Sequence, residues 1–117
     1  MTIRLGRVYD EPEPDEGLRV LADRLWPRGI RKDDPRIGRW DKDVAPSTEL
    51  RHWYGHQPER YVPFADRYRA ELAEPHVAEA LAELRSLVRS GPVLLVTATK
   101  DVDVSHLPVL AGVLREG

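Results

Sequence analysis

No cysteine occurs among the 117 residues, which excludes disulfides, thiolate nucleophiles and cysteine-ligated metals. Long apolar runs are also missing, and nothing approaches the roughly 20 residues that a membrane-spanning helix needs. The opening Met1-Thr2-Ile3-Arg4-Leu5 lacks the apolar core of a secretion signal. These absences lead us to expect a protein of the cytoplasm with no membrane partner. Neither sign of charge dominates, since 18 Lys+Arg against 20 Asp+Glu leave a net charge of −2. The positive excess that drives non-specific nucleic-acid binding is therefore lacking, and nucleic acid is an unexpected partner. Lysine is scarce, at only three residues beside 15 arginines. The chain has no Gly-x-Ser-x-Gly elbow, Walker loop or Gly-x-Gly-x-x-Gly fingerprint, so no cofactor is expected.

What remains is 41% hydrophobic and 32% charged, the balance of a folded globular protein. The length fits one domain over 1–117 with one core. Ile3, Leu5 and Val8-Tyr9 read as a first strand, and Leu18 to Leu25 as a second. The acidic, proline-bearing loop between them is too short for a crossover helix. The two strands are thus antiparallel or joined in an atypical way. Residues 28–46 show no period, which marks a functional loop or a missed element. Ser47 suits a helix N-cap and Gly55 a helix stop. A second helix follows Pro58 or Pro63, carrying Tyr61, Phe64, Ala65, Tyr68 and Leu72. A third begins at Pro75, with Val77, Leu81, Leu84 and Val88 at helical spacing, and ends at Gly91. Pro92 to Thr97 is the continuous apolar run of a strand buried on both faces. Ser105 caps a last helix. The expected class is α/β: a small three-layer-like domain with a short sheet of three to four strands, parallel or mixed, flanked by helices.

In open α/β sheets, ligands bind beyond the carboxyl ends of strands, and two charged segments occupy such ends. From Arg24 to Lys32 there are four cations and no acid, interrupted by Trp26-Pro27 and Gly29. After the apolar run comes Lys100-Asp101. The buried run and the paired charged ends place the second and last strands side by side, with Asp23 and Thr97 to Asp101 near one edge. If the two are parallel, the segments converge. Arg24, Arg28 and Lys100 would then supply charge for a small anion, phosphate-bearing by preference. Trp26 or Trp40 would give a wall, and Ser105 would open a helix start that suits an anion. Asp23, Asp101 and His106 are the candidates for proton transfer, with hydrolysis or group transfer as the chemistry. Each also has a structural reading. Asp23 and Arg24 could form a buried ion pair, the tryptophans could close the core, and Ser105 could be an ordinary cap. Arg28 stands between Pro27 and Gly29, two conformationally special residues that define its direction. Trp26, preceding proline, is expected to continue the strand. His52 and His56 have a metal-binding spacing but no third ligand, so no metal is expected. The other reading is an interaction module that presents the basic 24–32 segment to an acidic partner or nucleic acid. Oligomeric state is not legible.

Arg7-Val8-Tyr9-Asp10, Asp23-Arg24-Leu25-Trp26-Pro27-Arg28-Gly29, Trp40-Asp41-Lys42, Ala45-Pro46-Ser47 and Glu49-Leu50-Arg51 together resemble the YeaO-like branch of the domain-of-unknown-function family DUF488. Phe64, Tyr68 to Leu72, Lys100-Asp101 and His106 extend the resemblance over nearly the whole chain. It implies a shared fold and site, but no activity, because none is established for the family. Other branches carry a cysteine-rich motif near the last strand that this chain lacks. Related chains often have Asn-His where this one has Ser105-His106.

Overall fold

The computed structural model describes residues 2–116. The apolar run becomes strand β4 (Val93–Thr97), buried at every position. A strand buried on both faces has neighbours on both edges. β1 (Ile3–Arg7) pairs with it in parallel on one side, from Ile3–Val93 to Arg7–Thr97. β2 (Leu18–Leu21) pairs in parallel on the other, from Leu18–Val93 to Leu21–Val96. The two-residue β3 (Arg39–Trp40) adds to β2, so the order is β1-β4-β2-β3 and all pairings are parallel. The helices are α1 (Thr48–Tyr54), α2 (Tyr61–Leu72), α3 (Pro75–Ser90) and α4 (Leu107–Glu116).

Period-two alternation divides the sheet cleanly. Ile3, Val20, Ala22, Val93 and Leu95 face a core built with residues of all four helices. Leu21, Leu94 and Val96 face the other way, onto Val8, Ile30, Tyr9, Trp26, Ile37 and Trp40. The third layer is therefore irregular chain, not helix. Residues 28–46, aperiodic in sequence, contain β3 and a 3-10 turn at Lys42–Val44.

The first connection is the atypical one. β1 and β2 are parallel, with β4 between them, so antiparallel pairing is ruled out. Arg19 holds this crossover. It is buried with Glu16, side chains 4% and 9% exposed, and its Nη1 donates to both Glu16 oxygens at 2.8 and 3.0 Å. Its Nη2 donates to the carbonyls of Val8 and Asp10 at 3.3 and 3.0 Å, and its Nε to that of Arg36 at 2.6 Å. One guanidinium thus ties two loops to the sheet. Gly17 lets the chain enter β2 at φ +93°, so close to Pro92 that a Cβ would lie 2.3 Å from the Pro92 carbonyl oxygen.

The helix punctuation follows the sequence. The Ser47 hydroxyl accepts from the Leu50 amide at the start of α1, and Gly55 ends that helix in the left-handed region. Pro58 opens a 3-10 turn before α2, and Pro75 stands in the first turn of α3. The second strand ends earlier than expected, at Leu21 and not Leu25. Trp26 therefore does not continue it, because Asp23 has already turned toward the end of β4.

Candidate functional site

Strands β2 and β4 are neighbours, so the segments that follow them emerge side by side. Asp23 joins the two strand ends. Its Oδ1 accepts from the Thr97 hydroxyl at 2.7 Å and its Oδ2 from the Ala98 amide at 2.8 Å. His106 Nε2 lies 2.7 Å from the Ala22 carbonyl oxygen and 3.4 Å from Asp23 Oδ1. A carbonyl only accepts, so Nε2 carries the proton and points it at this corner. Asp23 is partnered by Thr97, Ala98 and His106, not by Arg24. Arg24 instead donates from Nε to the Pro46 carbonyl at 3.1 Å and from Nη2 to that of Ala45 at 2.9 Å.

Burial holds the His106 imidazole below its ordinary pKa. The nearby Asp23 carboxylate and the Ala22 carbonyl oppose that shift, and Arg51 adds to it. A histidine depressed in the folded state binds fewer protons there than in the unfolded chain. Its contribution to stability is complete above about pH 6.5 and is lost as pH falls below it. Urea midpoints should therefore drop between pH 7.5 and 5.5, and His106→Gln should flatten that slope. An unchanged slope in the variant would contradict the assignment.

The tryptophans pack against each other edge to face, Trp26 on Trp40, with ring centroids 5.3 Å apart. Trp40 Nε1 donates to the Asp23 carbonyl at 2.8 Å, and Trp26 Nε1 to that of Ile30 at 2.7 Å. The second bond closes a tight strap over Pro27-Arg28-Gly29, in which Gly29 adopts φ +81°. The Tyr9 hydroxyl donates to the Arg28 carbonyl at 2.9 Å, so the backbone of Arg28 is pinned while its side chain is exposed. The Ser105 hydroxyl donates to the Val102 carbonyl at 2.6 Å and accepts from the Leu107 amide at 3.2 Å. With Leu107 so engaged and Pro108 lacking an N–H, the start of α4 has few donors left.

These pieces surround a cleft of about 870 Å³. Asp23, Arg24, Trp26, Arg28, Lys100, Asp101, Ser105 and His106 all line it, whereas Trp40 does not. Trp40 lies behind Trp26, in the packing under the loop layer. Arg51, His52 and His56 also line the cleft. In the sequence the two histidines stand out only by their metal-binding spacing, and Arg51 only as part of the Glu49-Leu50-Arg51 motif. Their signal is positional, as exposed groups on and beside the short helix between Ser47 and Gly55. His56 is the one described residue other than glycine with positive φ, at 57°. Among the described residues, no group of three or more metal-ligating side chains comes together.

Fold and cleft together define a small parallel α/β domain with a charged cavity at the strand carboxyl ends. Within that class the chain belongs to the family described as the inactive DUF488-N3 subclade, which it matches over residues 2–117. It is 58% identical over 113 residues to an uncharacterised protein of Mycobacterium tuberculosis, covering 97% of this chain and 93% of the relative. A Mycobacterium bovis protein, also uncharacterised, matches to the same extent. The uncharacterised protein YeaO of Escherichia coli is 42% identical over 115 residues, 98% of each chain. No solved structure matches significantly. No helix among the described residues is long and apolar enough to cross a membrane.

Proposed function

We propose that the chain binds a small phosphate-bearing anion in the cleft at the carboxyl ends of β2 and β4. The observation that carries this reading is the state of Arg28 and Lys100. Both are exposed, both line the cleft, and neither has an acid within ion-pair distance among the described residues. Arg24 stands behind them with two of its nitrogens fixed on backbone carbonyls, a positioned charge and not a mobile clamp. Pinning Arg28 through its backbone lowers the entropy lost when it grips a ligand. We place this activity in the cytoplasm, in keeping with the cysteine-free chain.

Binding is better supported than hydrolysis or group transfer. For Asp23, Asp101 and His106 to move protons, the buried pair would have to leave its partners. Asp23 accepts from Thr97 and Ala98, and His106 Nε2 is committed to Ala22. The word inactive in the family description agrees with a binding role. The interaction-module reading takes its support from the exposure of Leu25, at 63%, beside Arg28, Arg31 and Lys32.

A thermal-shift screen against nucleotides, sugar phosphates and carboxylates tests the proposal. Phosphorylated compounds should raise the midpoint. Arg28→Ala should leave the unliganded stability within about 0.5 kcal/mol, as for an exposed side chain, and abolish the ligand-induced shift. Retention of the full shift in that variant would remove Arg28 from the site.

A further inference from the structure

We propose that the ligand of this cleft carries two separated anionic groups, as in a bisphosphate, with one group at Arg28 and Lys100 and the second at Arg51 of α1. This proposal rests on the anion-binding reading above and specifies what the anion must be.

The free cations set the charge of the cleft. Of the arginines and lysines lining it, Arg24 is committed to two carbonyls, whereas Arg28, Arg51 and Lys100 have no acidic partner among the described residues. Of the two lining carboxylates, Asp23 is consumed by Thr97, Ala98 and His106. Asp101 is exposed and caps nothing with its side chain. Such a surplus would by itself suit a single phosphate dianion. Placement says otherwise.

Arg28 belongs to the loop layer. It follows Trp26, which packs with Tyr9 on one face of the sheet, and Tyr9 bonds its carbonyl. Arg51 belongs to the helical layer. It lies between Leu50 and Tyr54, which pack with Phe64 on the opposite face. Tyr9, Trp26, Tyr54 and Phe64 all line the cleft, so the cavity opens between the two layers. Arg28 and Arg51 therefore belong to opposite layers around a space near the upper end of the roughly 300–1,000 Å³ that hold drug-sized ligands. A phosphate held at Arg28 leaves Arg51, which has no acidic partner among the described residues, open to a second anionic group. Beside Arg51, the imidazoles of His52 and His56 extend the second pole, and His56 keeps its place there in a backbone conformation that a non-glycine residue rarely adopts. A ligand with an anionic group at each end satisfies both walls, and its apolar middle would pass over the aromatic lining.

Calorimetric titration with methylphosphonate and with alkane bisphosphonates of increasing spacer length, at fixed ionic strength, tests this. At least one bisphosphonate should bind about tenfold more tightly than methylphosphonate. Arg51→Ala should erase that advantage and leave methylphosphonate affinity unchanged, while Lys32→Ala, outside the cleft, should alter neither. Bisphosphonates that bind no better than methylphosphonate would overturn the two-pole proposal and leave the anion site standing. So would an Arg51→Ala variant that weakens both ligands equally. If no probe binds, the anion-binding reading itself fails.

Discussion

Replacing Arg19 with methionine should destabilise the fold by about 3–5 kcal/mol, the usual cost of leaving one member of a buried ion pair alone. Glu16 would keep a buried carboxylate facing the missing guanidinium, with only the Glu13 amide left as partner. The loss goes further than the pair. The carbonyls of Val8, Asp10 and Arg36 would lose their shared donor, and the loops before β2 and before β3 would be released together. A double Arg19→Met, Glu16→Leu variant removes the stranded charge but not the stranded carbonyls, so it should recover only part of the loss. Urea denaturation of the single and double variants measures both quantities. Full recovery in the double variant would show that the ion pair alone, without the carbonyls, carries the effect. With total stabilities of roughly 5–15 kcal/mol for single domains, the single variant should stand near the edge of folding.

Gly17→Ala should be comparably damaging, at roughly 4 kcal/mol from two sources. A side chain at φ +93° is strained by about 1–3 kcal/mol. In addition, the new Cβ would lie 2.3 Å from the Pro92 carbonyl oxygen, which is backbone held by the Leu18 amide at 3.0 Å and has no flexible end to move. Gly29 is the internal control. It has φ +81°, but a Cβ added there would meet no heavy atom within 4 Å. Gly29→Ala should therefore cost only the conformational part, about 1–2 kcal/mol. Similar losses at both positions in chemical denaturation would mean that the contact with Pro92 is not the reason for glycine at 17.

Much of this arrangement is legible in the sequence because it is local. The apolar run at 93–97 announces a doubly covered strand, and the spacing of Val77, Leu81, Leu84 and Val88 announces α3. Ser47 and Gly55 delimit α1 as cap and stop. The adjacency of the second and last strands follows from the buried run and the paired charged ends. What escapes is non-local. The connection of β1 to β2 stays open in the sequence, antiparallel or atypical, because the strand that separates them arrives more than 70 residues later in the chain. β3 has two residues, too few to show a period. Arg19 alternates with apolar neighbours as a solvent-facing strand residue would, and only the arrival of Glu16 and three loop carbonyls makes its burial tolerable. The site divides the same way. The residues at strand ends are legible from the behaviour of open sheets, whereas Arg51 joins them through the packing of α1 against α2 and the sheet.

The claim that the strand-end cleft is an anion site is tested most directly by an NMR titration of the labelled protein with inorganic phosphate, following backbone amides residue by residue. Saturable shifts should concentrate at Arg24 to Gly29 and at Ala98 to Asp101, the segments that carry Arg28 and Lys100. Arg31 to Asp33, whose charges already pair at the surface, should move little. Shifts confined to Arg31 to Asp33, or spread without saturation over every basic residue, would contradict the anion site.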